Sequence, residues 1–439
     1  MRLRRSFGSD ELRLAVVLGA ALLVFSAAIM AVHDLVGKHQ SSIMTDLQIY
    51  RWGGTLALHS GDLYTAKFPH PLPDHLLFTY TPMAALVFAA LSAIPLIVLD
   101  WLALVASIAA LAGTLWLTWG ALGYQRSAGR VAATLTMAGV ALWLQPVQQT
   151  LLFGQINLIL MLVVVADLCL PDTSRAKGIG VGLAAGFKLT PLIFVAYLLF
   201  TRRFRAAAVS LATFALTIVI SFIVLPAQSR RYWIKGLFLH SRRAGSNAAV
   251  TNQSLNGAFT RLTGSLAAAH PYWIAASVII GIGGLLLAAR ASRQGQEMLG
   301  ILTCALTGLL ISPISWDHHW VWIAPVLVVA TDMAVRAGAP GTGRLLSGRR
   351  WRWAAWVGVA AIAVPFLFLP PALVPRGTIR DISRHPAPLL TGNLYVISGL
   401  VLLCLAGLII LRPPPARPGP LPAPRGRVPH SAGARIPPA

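Results

Sequence analysis

The fold of this chain is decided by long apolar stretches, of which Leu96–Leu117 is the clearest and reads LIVLDWLALVASIAALAGTLWL. Comparable stretches run over Leu14–Ala31, Ala206–Leu225 and Ile274–Ala289. Each approaches the ~20 apolar residues with which an α-helix crosses the hydrocarbon core of a bilayer. The stretches are too long, and alternate too little, for the strands of an outer-membrane barrel. The sequence therefore predicts an all-α, polytopic membrane protein.

The composition of the 439 residues supports the same conclusion. Hydrophobic residues make up 56% of the chain and charged residues 11%, whereas a soluble domain has ~25% charged residues. The formal net charge is +23, but the basic residues gather at predicted helix ends and in the C-terminal tail, where positive charge sets topology and contacts anionic lipid. Membrane lipids, and no nucleic acid, are therefore the expected partners. Cys169, Cys304 and Cys404 show neither a disulfide framework nor the spacing of metal ligands.

The apolar pattern predicts about twelve transmembrane helices in one unit over residues 1–412. The positive-inside rule places the basic clusters in the cytoplasm, and an even number of spans puts both termini there. The loops 37–78 and 227–270 fall on the extracytoplasmic side, and residues 46–58 are expected to form a short interfacial helix. The Pro/Arg-rich tail 413–439 is predicted to be disordered and cytoplasmic. The predicted spans lie near residues 13–36, 79–94, 96–120, 129–148, 154–170, 178–200, 206–226, 271–290, 298–313, 318–335, 353–370 and 393–412.

The middle of the chain fits this scheme poorly. Arg126, Arg130, Arg175 and Lys177 fall on the extracytoplasmic side, which the positive-inside rule disfavours. The span arrangement between residues 96 and 200 therefore stays open at the level of the sequence.

Lys188 lies halfway along the predicted span at 178–200, in the sequence GFKLTP. The span is either one kinked helix or two half-helices that meet at Lys188, and half-helices at membrane depth usually line a cavity. A lysine within an apolar segment costs ~2.5 kcal/mol or more unless it snorkels or finds a partner. Lys188 therefore either snorkels to the interface or binds an anion such as a lipid phosphate.

Asp46 is the most informative of only 13 acidic residues, because it follows closely on the first apolar span, in TDLQIYRW (Thr45–Trp52). One interpretation is a solvated helix cap. The other is a general base, which accepts the proton of an attacking hydroxyl on a substrate delivered by the membrane.

The segment Ser312–Trp320 reads SPISWDHHW and contains a pair of adjacent histidines. Adjacent residues point to different faces of a helix, so His318 and His319 are a poor metal pair; helical zinc ligands usually lie four residues apart. The segment is either an interfacial cap with a tryptophan belt or a site where one histidine and Trp316 bind a phosphate or the face of a sugar.

Two further segments carry side-chain amides. Gln155 and Asn157 follow Gly154, and Asn252 lies in the second large loop with Arg243. Amides suit sugar hydroxyls, and arginine suits phosphates. The alternatives are hydrogen bonds between helices for the first segment and a plain capped loop for the second.

Taken in order, these motifs resemble those of glycosyltransferase family 87, most closely the actinobacterial α-(1→2)-mannosyltransferases of phosphatidylinositol mannoside and lipoarabinomannan synthesis. Each motif alone is weak, but the ordered set over about residues 46–320 is specific. In this chain the motifs are Asp46/Tyr50, Leu63-Tyr64, Phe78-Thr79-Tyr80-Thr81-Pro82, Gly154-Gln155-Ile156-Asn157, Lys188-Leu189-Thr190-Pro191, Asn252-Gln253-Ser254-Leu255 and Ser312–Trp320.

Two positions depart from the family pattern. Thr81 stands where the second proline of Tyr-Pro-Pro is usual, and Asp317 stands where a serine usually precedes the two histidines. Neither departure removes a proposed catalytic group. Asp317 does place a second carboxylate near the site, so two acids are candidates for the base.

The resemblance implies a GT-C fold in the plasma (inner) membrane, with the active site formed by the extracytoplasmic loops. It implies inverting transfer of mannose from polyprenyl phosphomannose to a phosphatidylinositol mannoside, with an α-(1→2) linkage. No cofactor and no metal ligands are predicted, and the assistance of a divalent ion stays open at the level of the sequence. The implied catalytic residues are Asp46, as the base, and His318. The implied donor-binding residues are His319, Lys188, Trp316, Tyr80 and Arg243, and the implied acceptor or sugar-binding residues are Tyr50, Arg51, Gln155, Asn157, Asn252 and Asp317.

Other hypotheses stay open at this stage. The donor sugar could be another polyprenyl-linked sugar, such as arabinofuranose. A flippase or transporter of lipid-linked sugars would need the cavity-facing Lys188 but no base, and a structural membrane subunit would need neither. A nucleotide-driven pump is disfavoured, because the sequence has no phosphate-binding Gly-rich loop followed by Lys-Ser/Thr. The oligomeric state is left open.

Overall fold

The structure is a computed structural model, and it describes residues 9–35, 44–59, 61–68, 76–240, 243, 245–337, 349–368 and 385–412. In these ranges the regular elements are helices, which confirms the predicted all-α class. The predicted tail 413–439 lies outside the described residues. The helices are α1 (Ser9–Leu35), α2 (Thr45–Leu58), α3 (Pro82–Ser92), α4 (Leu96–Ala121), α5 (Ala128–Ala141), α6 (Gln145–Phe153), α7 (Asn157–Leu168), α8 (Ile179–Phe187), α9 (Ile193–Phe200), α10 (Phe204–Val224), α11 (Pro226–Ser229), α12 (Leu255–Thr263), α13 (Leu266–Arg293), α14 (Glu297–Ile311), α15 (Ile323–Ala337), α16 (Arg349–Phe368), α17 (Pro386–Thr391) and α18 (Leu394–Ile410).

Several of these helices are long and apolar enough to cross a bilayer. By length and composition there are five in the described ranges, and the bent pair of α5 and α6 would be a sixth. This agrees with the predicted polytopic membrane protein, whereas the number of twelve spans stays a prediction. The five segments are Ser9–Val32, Leu96–Ala121, Phe204–Val224, Leu266–Arg293 and Asp317–Ala337.

At one end of the helix bundle, several helices end or begin with basic residues. This end is called the basic end below. The start of α5 lies against the start of α1, where Gly129 faces Leu12. In the turn between α4 and α5, the carbonyl of Leu122 accepts a hydrogen bond of 2.8 Å from Arg336, near the end of α15. The start of α1, the α4–α5 turn and the end of α15 therefore share this end.

An ionic cluster adds three more helix ends to the basic end. Arg203 pairs with Asp172 at 3.0 Å and with Glu297 at 2.6 Å. These residues belong to the α7–α8 turn, the α9–α10 turn and the start of α14. Met298, next to Glu297, lies 4.0 Å from Thr118 near the end of α4. The cluster therefore lies at the same end as the α4–α5 turn.

The predicted position of four basic residues is corrected by this arrangement. They lie in or beside the turns of the basic end, not on the side opposite to the other basic clusters, because the predicted span at 79–94 stays at one end and the predicted span at 178–200 turns back. The four residues are Arg126, Arg130, Arg175 and Lys177.

The segment predicted as a span at 178–200 turns back on itself. Its helices α8 and α9 are separate, and Lys188 between them is extended, with φ −145° and ψ 131°. Both ends of the segment lie at the basic end, since Lys177 and Arg203 contact the same Asp172. Lys188 itself lies towards the other end of the bundle, called the site end below, since Gly186 packs against Thr217 in the second half of α10. Of the two sequence alternatives, the pair of half-helices is therefore confirmed.

The segment predicted as a span at 79–94 does not cross either. Helix α3 has 11 residues, about 16 Å, against ~30 Å of hydrocarbon. At its start the hydroxyl of Thr81 donates to the carbonyl of Gly186, beside Lys188. At its end the carbonyl of Ser92 accepts a hydrogen bond of 3.1 Å from Arg51 in α2. Both ends of α3 therefore lie at the site end.

The predicted span at 129–148 is broken by a sharp bend. Helix α5 ends at Ala141 and α6 begins at Gln145, and the two meet at 76°. Pro146 lies in the first turn of α6, where its fixed φ suits a helix start and its missing N–H breaks no helical hydrogen bond. The bend carries α6 along the site end towards α2.

The helix predicted over residues 46–58 is present as α2, but it is packed into the protein. Gly54 lies directly against the backbone of Phe88 in α3, with no room for a Cβ atom. Close packing of this kind holds α2 in a fixed position and fixes Asp46 in its first turn. The buried residues of α2 are Leu47, Ile49, Tyr50, Gly53 and Gly54.

Candidate active site

Asp46 lies in the first turn of α2, at the site end. The backbone N–H of Met44 donates to the carbonyl of Leu152 at 3.0 Å, which joins the start of α2 to the end of α6. Gly154 is needed here, because its φ is +63° and a Cβ atom would run into Leu47. The N-terminal end of a helix favours negative charge. This position therefore suits an ionised carboxylate.

A chain of hydrogen bonds fixes the Asp46 carboxylate. Gln155 Nε2 donates to Asp46 Oδ2 at 2.5 Å. On its other side, Gln155 Oε1 lies 2.8 Å from the Tyr50 hydroxyl and 3.0 Å from the Tyr80 hydroxyl. The two hydroxyls are 2.6 Å apart. Gln155, Tyr50 and Tyr80 are all buried, so water does not compete for these bonds.

The direction of this chain follows from its chemistry. The tyrosine hydroxyls carry protons and an amide oxygen carries none, so Gln155 Oε1 accepts and Nε2 faces Asp46. The flipped amide would bring its oxygen against the Asp46 carboxylate and would fit only a protonated Asp46. Asp46 Oδ1 accepts no hydrogen bond from the described residues. The arrangement therefore matches an ionised Asp46 that accepts one side-chain hydrogen bond, from Gln155, within the described part of the chain.

Burial raises the pKa of Asp46, because a carboxylate is less stable away from water. The charges of His318 and Lys188 and the hydrogen bond from Gln155 lower the pKa, but burial has the larger effect. A raised pKa makes the ionised carboxylate a stronger proton acceptor. Asp46 is thus a partly buried carboxylate that lies within the electrostatic reach of two basic side chains.

Lys188 holds its charge at the break between α8 and α9. Its ammonium donates to Asn157 Oδ1 at 3.1 Å and contacts His319 Nε2 at 3.0 Å. It also lies 5.5 Å from the centre of the Tyr80 ring. A protonated lysine can only donate, so His319 Nε2 must accept and is unprotonated. Among the described residues its hydrogen-bond partners are neutral groups, which leaves its charge available for an anion.

An apolar cavity opens beside Lys188. Asn157, Lys188 and His319 line it together with Ser312 and Ser315. The remaining walls come from α7, α9, α14 and the segment after Trp320, and they are mostly apolar. They include Leu160, Met161, Val164, Ile193, Phe194, Ala305, Leu309, Val321 and Trp322. This cavity combines an apolar lining with a cationic, amide-bearing rim.

His318 is buried without a hydrogen bond on either ring nitrogen in the described part of the chain. Its Nδ1 lies 3.4 Å from Asp317 Oδ1, close enough for an ion pair but poorly placed for a hydrogen bond. The backbone is held firmly, because Thr150 and Asn157 both donate to the His318 carbonyl, at 3.0 and 3.1 Å. A buried polar ring without a partner normally has a functional explanation.

Asp317 is used differently from Asp46. Its Oδ2 accepts a hydrogen bond of 2.8 Å from Gln145, and its Oδ1 accepts one of 2.8 Å from the backbone N–H of His318. Gln145 Oε1 in turn accepts from the hydroxyl of Tyr395 at 2.8 Å. Both oxygens of Asp317 therefore hold the histidine segment in place. Of the two acids that the sequence left as candidates, Asp46 has the geometry of a base.

The model of glycosyltransferase family 87 matches residues 78–313, more than half of the chain. This chain belongs to glycosyltransferase family 87. The family 87 protein is 36% identical over 366 residues to the polyprenol-phosphate-mannose-dependent alpha-(1-2)-phosphatidylinositol pentamannoside mannosyltransferase of Mycolicibacterium smegmatis (strain ATCC 700084 / mc(2)155), with 82% of this chain and 83% of that protein covered. It is 34% identical over 361 residues to the protein of the same name from Mycobacterium tuberculosis (strain CDC 1551 / Oshkosh), with 82% and 80% covered.

A third relative has a slightly different name. It is the polyprenol-phosphate-mannose-dependent alpha-(1-2)-phosphatidylinositol mannoside mannosyltransferase of Mycobacterium tuberculosis (strain ATCC 25618 / H37Rv), 34% identical over 297 residues, with 65% of this chain and 69% of that protein covered. Family membership confirms the resemblance predicted from the motifs and the prediction of a glycosyltransferase. Asp46 and His318 lie outside the matched range 78–313, so their roles rest on the geometry above.

Three of the predicted site residues point elsewhere in this family 87 protein. Arg51 donates to the carbonyls of Ser92 and Ile94, at 3.1 and 3.3 Å, and so caps the end of α3. Trp316 packs against Gly245 of the second loop. Arg243 lies in a separate cavity. The predicted contacts of these residues with donor or acceptor stay predictions.

Asn252 fastens two loops to each other. It is fully buried; its Oδ1 accepts from the backbone N–H of Ser315 at 2.9 Å, and its Nδ2 donates to the carbonyl of Asn247 at 3.0 Å. Its backbone also pairs with that of Trp316. The geometry gives this residue a structural task, and its predicted sugar contact is without support here.

Sequence reasoning missed several residues that hold the site. Nothing in the sequence marked Gln145, Thr150 or Tyr395 for the contacts that they make here. Thr81 was recorded only as a departure from a proline. Its hydroxyl in fact caps α3 at Ala84 and also ties that helix to the break at Lys188. Polar residues of this kind are visible only once the helices are placed.

Metal ligation has no evident place in the described ranges. No three side chains of His, Cys, Asp or Glu come together there as a metal site would require. The prediction of no cofactor and no metal ligands stays a prediction.

Proposed function

We propose that this family 87 enzyme transfers mannose from polyprenyl phosphomannose to a phosphatidylinositol mannoside, forming an α-(1→2) linkage with inversion. One observation carries the proposal: Asp46 lies in a hydrogen-bonded chain and within the field of Lys188 and His318. Glycosyl transfer needs a base for the acceptor and a cation for the leaving phosphate, and both occur in this one site. The names of the relatives specify the same donor and the same class of acceptor.

In the proposed step, Asp46 accepts the proton of the acceptor hydroxyl, and that oxygen attacks the anomeric carbon of the donor in line. A new carbon–oxygen bond forms as the bond to the phosphate oxygen breaks. The electron pair leaves with polyprenyl phosphate, and the proton stays on Asp46. No catalytic acid is required, because a phosphate is a good leaving group without protonation. One carboxylate is therefore enough for inversion.

The cavity beside Lys188 is the proposed site for the phosphate of the donor. The ammonium of Lys188 and the rings of His318 and His319 would stabilise the charge that develops on the leaving phosphate. The apolar walls suit a polyprenyl chain, whose burial contributes roughly 25 cal/mol per Å². Asn157 holds Lys188 at 3.1 Å, so we assign Asn157 to the positioning of the cation in addition to the predicted contact with a sugar.

We further propose a GT-C fold in the plasma (inner) membrane, with the site end outside. The positive-inside rule puts the basic end in the cytoplasm, and the four basic residues that the sequence scheme misplaced then obey the rule. The number of twelve is retained with a changed assignment: α8 and α9 each run between the basic end and the inner break at Lys188 and are counted as two passes, whereas α3 has both ends at the site end and is not counted. Residues 1–412 form the transmembrane unit, and the tail 413–439 is proposed to be cytoplasmic.

The partners in this proposal are membrane lipids, the lipid-linked donor and the glycolipid acceptor, without nucleic acid and without a cofactor. Arabinofuranose transfer and lipid-linked-sugar transport were the alternatives from the sequence. Transport needs no base, and the partly buried, oriented Asp46 argues against it. The mannose-dependent names of the relatives argue against arabinofuranose.

The experiment is a reconstituted transfer assay. Purified wild type and Asp46→Asn each receive synthetic polyprenyl phosphomannose and a phosphatidylinositol mannoside, and products are identified by mass. We expect a gain of one hexose with the wild type and none with the variant. Polyprenyl phosphoarabinofuranose serves as the competing donor. A pentose gain in place of the hexose gain would favour arabinose transfer, and no sugar–sugar bond with either donor would favour transport.

A further inference from the structure

A second cavity at the site end contains Arg243 and shares no lining residue with the cavity beside Lys188. Tyr64 and Phe78 line it from the first loop, and Tyr232 and Phe238 line it from the second. The Tyr64 and Tyr232 rings stack with centroids 5.5 Å apart. The cavity is therefore a built feature with a rigid aromatic wall.

Arg243 brings an available cation to this cavity. Its Nη2 donates to the carbonyls of Tyr64 and Phe78, at 2.7 and 3.4 Å, and its guanidinium carbon lies 5.9 Å from the centre of the Tyr64 ring. Its Nε and Nη1 make no hydrogen bond to a described residue. A guanidinium has five N–H donors, so this anchoring by one nitrogen leaves most of them for a ligand.

The carboxylate in this region does not neutralise Arg243. Both oxygens of Asp62 lie 2.8 Å from Arg231 Nη1, and Asp62 also accepts from Thr65. These bonds and the charge of Arg231 lower the pKa of Asp62 despite its partial burial. Asp62 is therefore ionised and already paired, and within the described ranges the hydrogen bonds of Arg243 go to backbone carbonyls.

The cavity lies where a membrane-spanning helix ends. Helix α10 ends at Val224, and the following segment presents exposed apolar side chains, with Ile234 70% and Leu239 73% exposed. Apolar side chains at the end of a span, next to Arg230 and Lys235, are typical of a segment at the membrane interface. The cavity is therefore at the level of lipid headgroups.

One short segment connects the cavity to the reaction centre. The hydroxyl of Tyr64 donates to the carbonyl of Tyr80 at 3.2 Å, and the Tyr80 hydroxyl belongs to the chain that fixes Asp46. A ligand held by Arg243 and extending past Tyr80 would therefore approach Asp46 from the side of the first loop.

We propose that this second cavity binds the phosphodiester of the anionic glycolipid acceptor, with Arg243 as its ligand, and that it is distinct from the donor-phosphate site at Lys188. Arginine suits a phosphate because its planar fork can donate two parallel hydrogen bonds. The inference rests on the proposed function, because it takes the acceptor to be a phosphatidylinositol glycolipid. It moves Arg243 from the donor, as the sequence suggested, to the acceptor.

The test compares full-length wild type, Arg243→Gln and Arg243→Lys in nanodiscs of uncharged phosphatidylcholine. Each is assayed with two acceptors of equal terminal sugar, a phosphatidylinositol mannoside and an uncharged diacylglycerol mannoside. With the anionic acceptor, we expect Arg243→Gln to raise KM about tenfold or more, the size of a lost charge-assisted contact. Arg243→Lys keeps the positive charge and should show a smaller rise in the KM for the anionic acceptor. The donor KM, and the KM for the uncharged acceptor, should change less than about twofold. Arg230→Gln, an exposed charge change in the same segment, is the matched control.

Each other outcome overturns the inference in a different way. A higher donor KM in Arg243→Gln would assign Arg243 to the donor phosphate. An equal rise in KM for both acceptors would show that Arg243 does not recognise the phosphodiester. If the wild type transfers mannose and the anionic-acceptor KM does not move, only this inference fails. If the wild type transfers no mannose, the proposed function fails. Binding of glycerophosphoinositol then tests, without turnover, whether the second cavity binds the phosphodiester. Equal binding by wild type and Arg243→Gln would then overturn it, whereas binding weakened about tenfold would support it.

Discussion

Asp46 and Asp317 lie in two regions of the site that are built on the same pattern. In each region a glutamine amide donates to the carboxylate, from Gln155 to Asp46 at 2.5 Å and from Gln145 to Asp317 at 2.8 Å. In each region the glutamine oxygen also accepts from a tyrosine hydroxyl. The regions differ in the remaining carboxylate oxygen. In Asp317 it accepts from the backbone N–H of His318, and in Asp46 no described residue donates to it.

The same hydrogen-bonding pattern can therefore serve two purposes. A carboxylate that accepts a hydrogen bond on both oxygens stabilises the loop that surrounds it, and it has less acceptor capacity left for a substrate. A carboxylate with one oxygen open keeps the same fixed geometry and can still accept a proton. Among the described residues, the two acids therefore differ in the number of oxygens that accept a hydrogen bond, one in Asp46 and two in Asp317.

The largest expected effect is on turnover when the two acids are exchanged for amides. Asp46→Asn should lower kcat about 10³-fold, since a positioned base contributes roughly 10²–10⁴ in rate, and should not lower the thermal unfolding temperature. Asp317→Asn is the matched variant. Asp317→Asn should lower the unfolding temperature, because an amide can accept only one of the two hydrogen bonds that the carboxylate accepts. A buried group left without its partner costs about 1–3 kcal/mol of stability. The loss of activity should be far smaller than in Asp46→Asn. If Asp317→Asn abolished transfer and left the unfolding temperature unchanged, Asp317 would belong to the chemistry.

The next effect concerns the cation that faces Asp46 and has no counterpart beside Asp317. Lys188→Gln should lower kcat/KM for the donor about 10²-fold, the size found for other groups that stabilise developing charge. The acceptor KM should stay within about twofold in a steady-state assay. Lys235→Gln removes an exposed charge at the same end of the molecule and should have little effect. A loss confined to acceptor binding would place Lys188 outside the donor site.

The pH dependence of activity should respond to the hydrogen bonds that fix Asp46. With Asp46 as the proposed base, its ionised form is the active one, so activity should rise with pH through its pKa, which burial raises above the ordinary value of aspartate. Gln155→Leu removes a hydrogen bond that lowers this pKa. The acidic limb of the kcat profile should therefore move to higher pH. Below the shifted pKa, kcat should fall about tenfold relative to the wild type, and above it kcat should recover. Tyr50→Phe should give a smaller shift of the same sign. An acidic limb that stays in place, or moves to lower pH, would separate Gln155 from the ionisation of Asp46.

The sequence predicted the parts of this site that depend on rare residues. Asp46 and Lys188 were recognisable because charges are scarce in an apolar chain and expensive within a membrane. The half-helix alternative at Lys188 was correct because GFKLTP combines a charge with a helix-breaking proline.

Span assignments failed where apolar content alone was the guide. The residues of α3 are as apolar as those of a span, and its length and the bond from Arg51 to the carbonyl of Ser92 decide that it stays at the site end. The basic residues already contradicted the scheme before the structure corrected it. The partnership of Gln145 with Asp317 spans 172 positions in the chain, and no local pattern encodes a contact of that range.

The smallest expected effect tests the structural region by itself. Tyr395→Phe removes the hydroxyl that donates to Gln145 Oε1 at 2.8 Å and leaves that buried oxygen without its tyrosine donor. The expected cost is about 1 kcal/mol of stability, measured as a lower unfolding temperature in detergent, with kcat changed less than about twofold. Tyr272→Phe, at a side chain that is 58% exposed, is the matched control. Tyr50→Phe removes the equivalent hydroxyl beside Asp46 and should move the pH profile, whereas Tyr395→Phe should not. If both variants moved it, the two regions would be coupled in catalysis, and the occupied oxygen of Asp317 would not isolate it from the reaction.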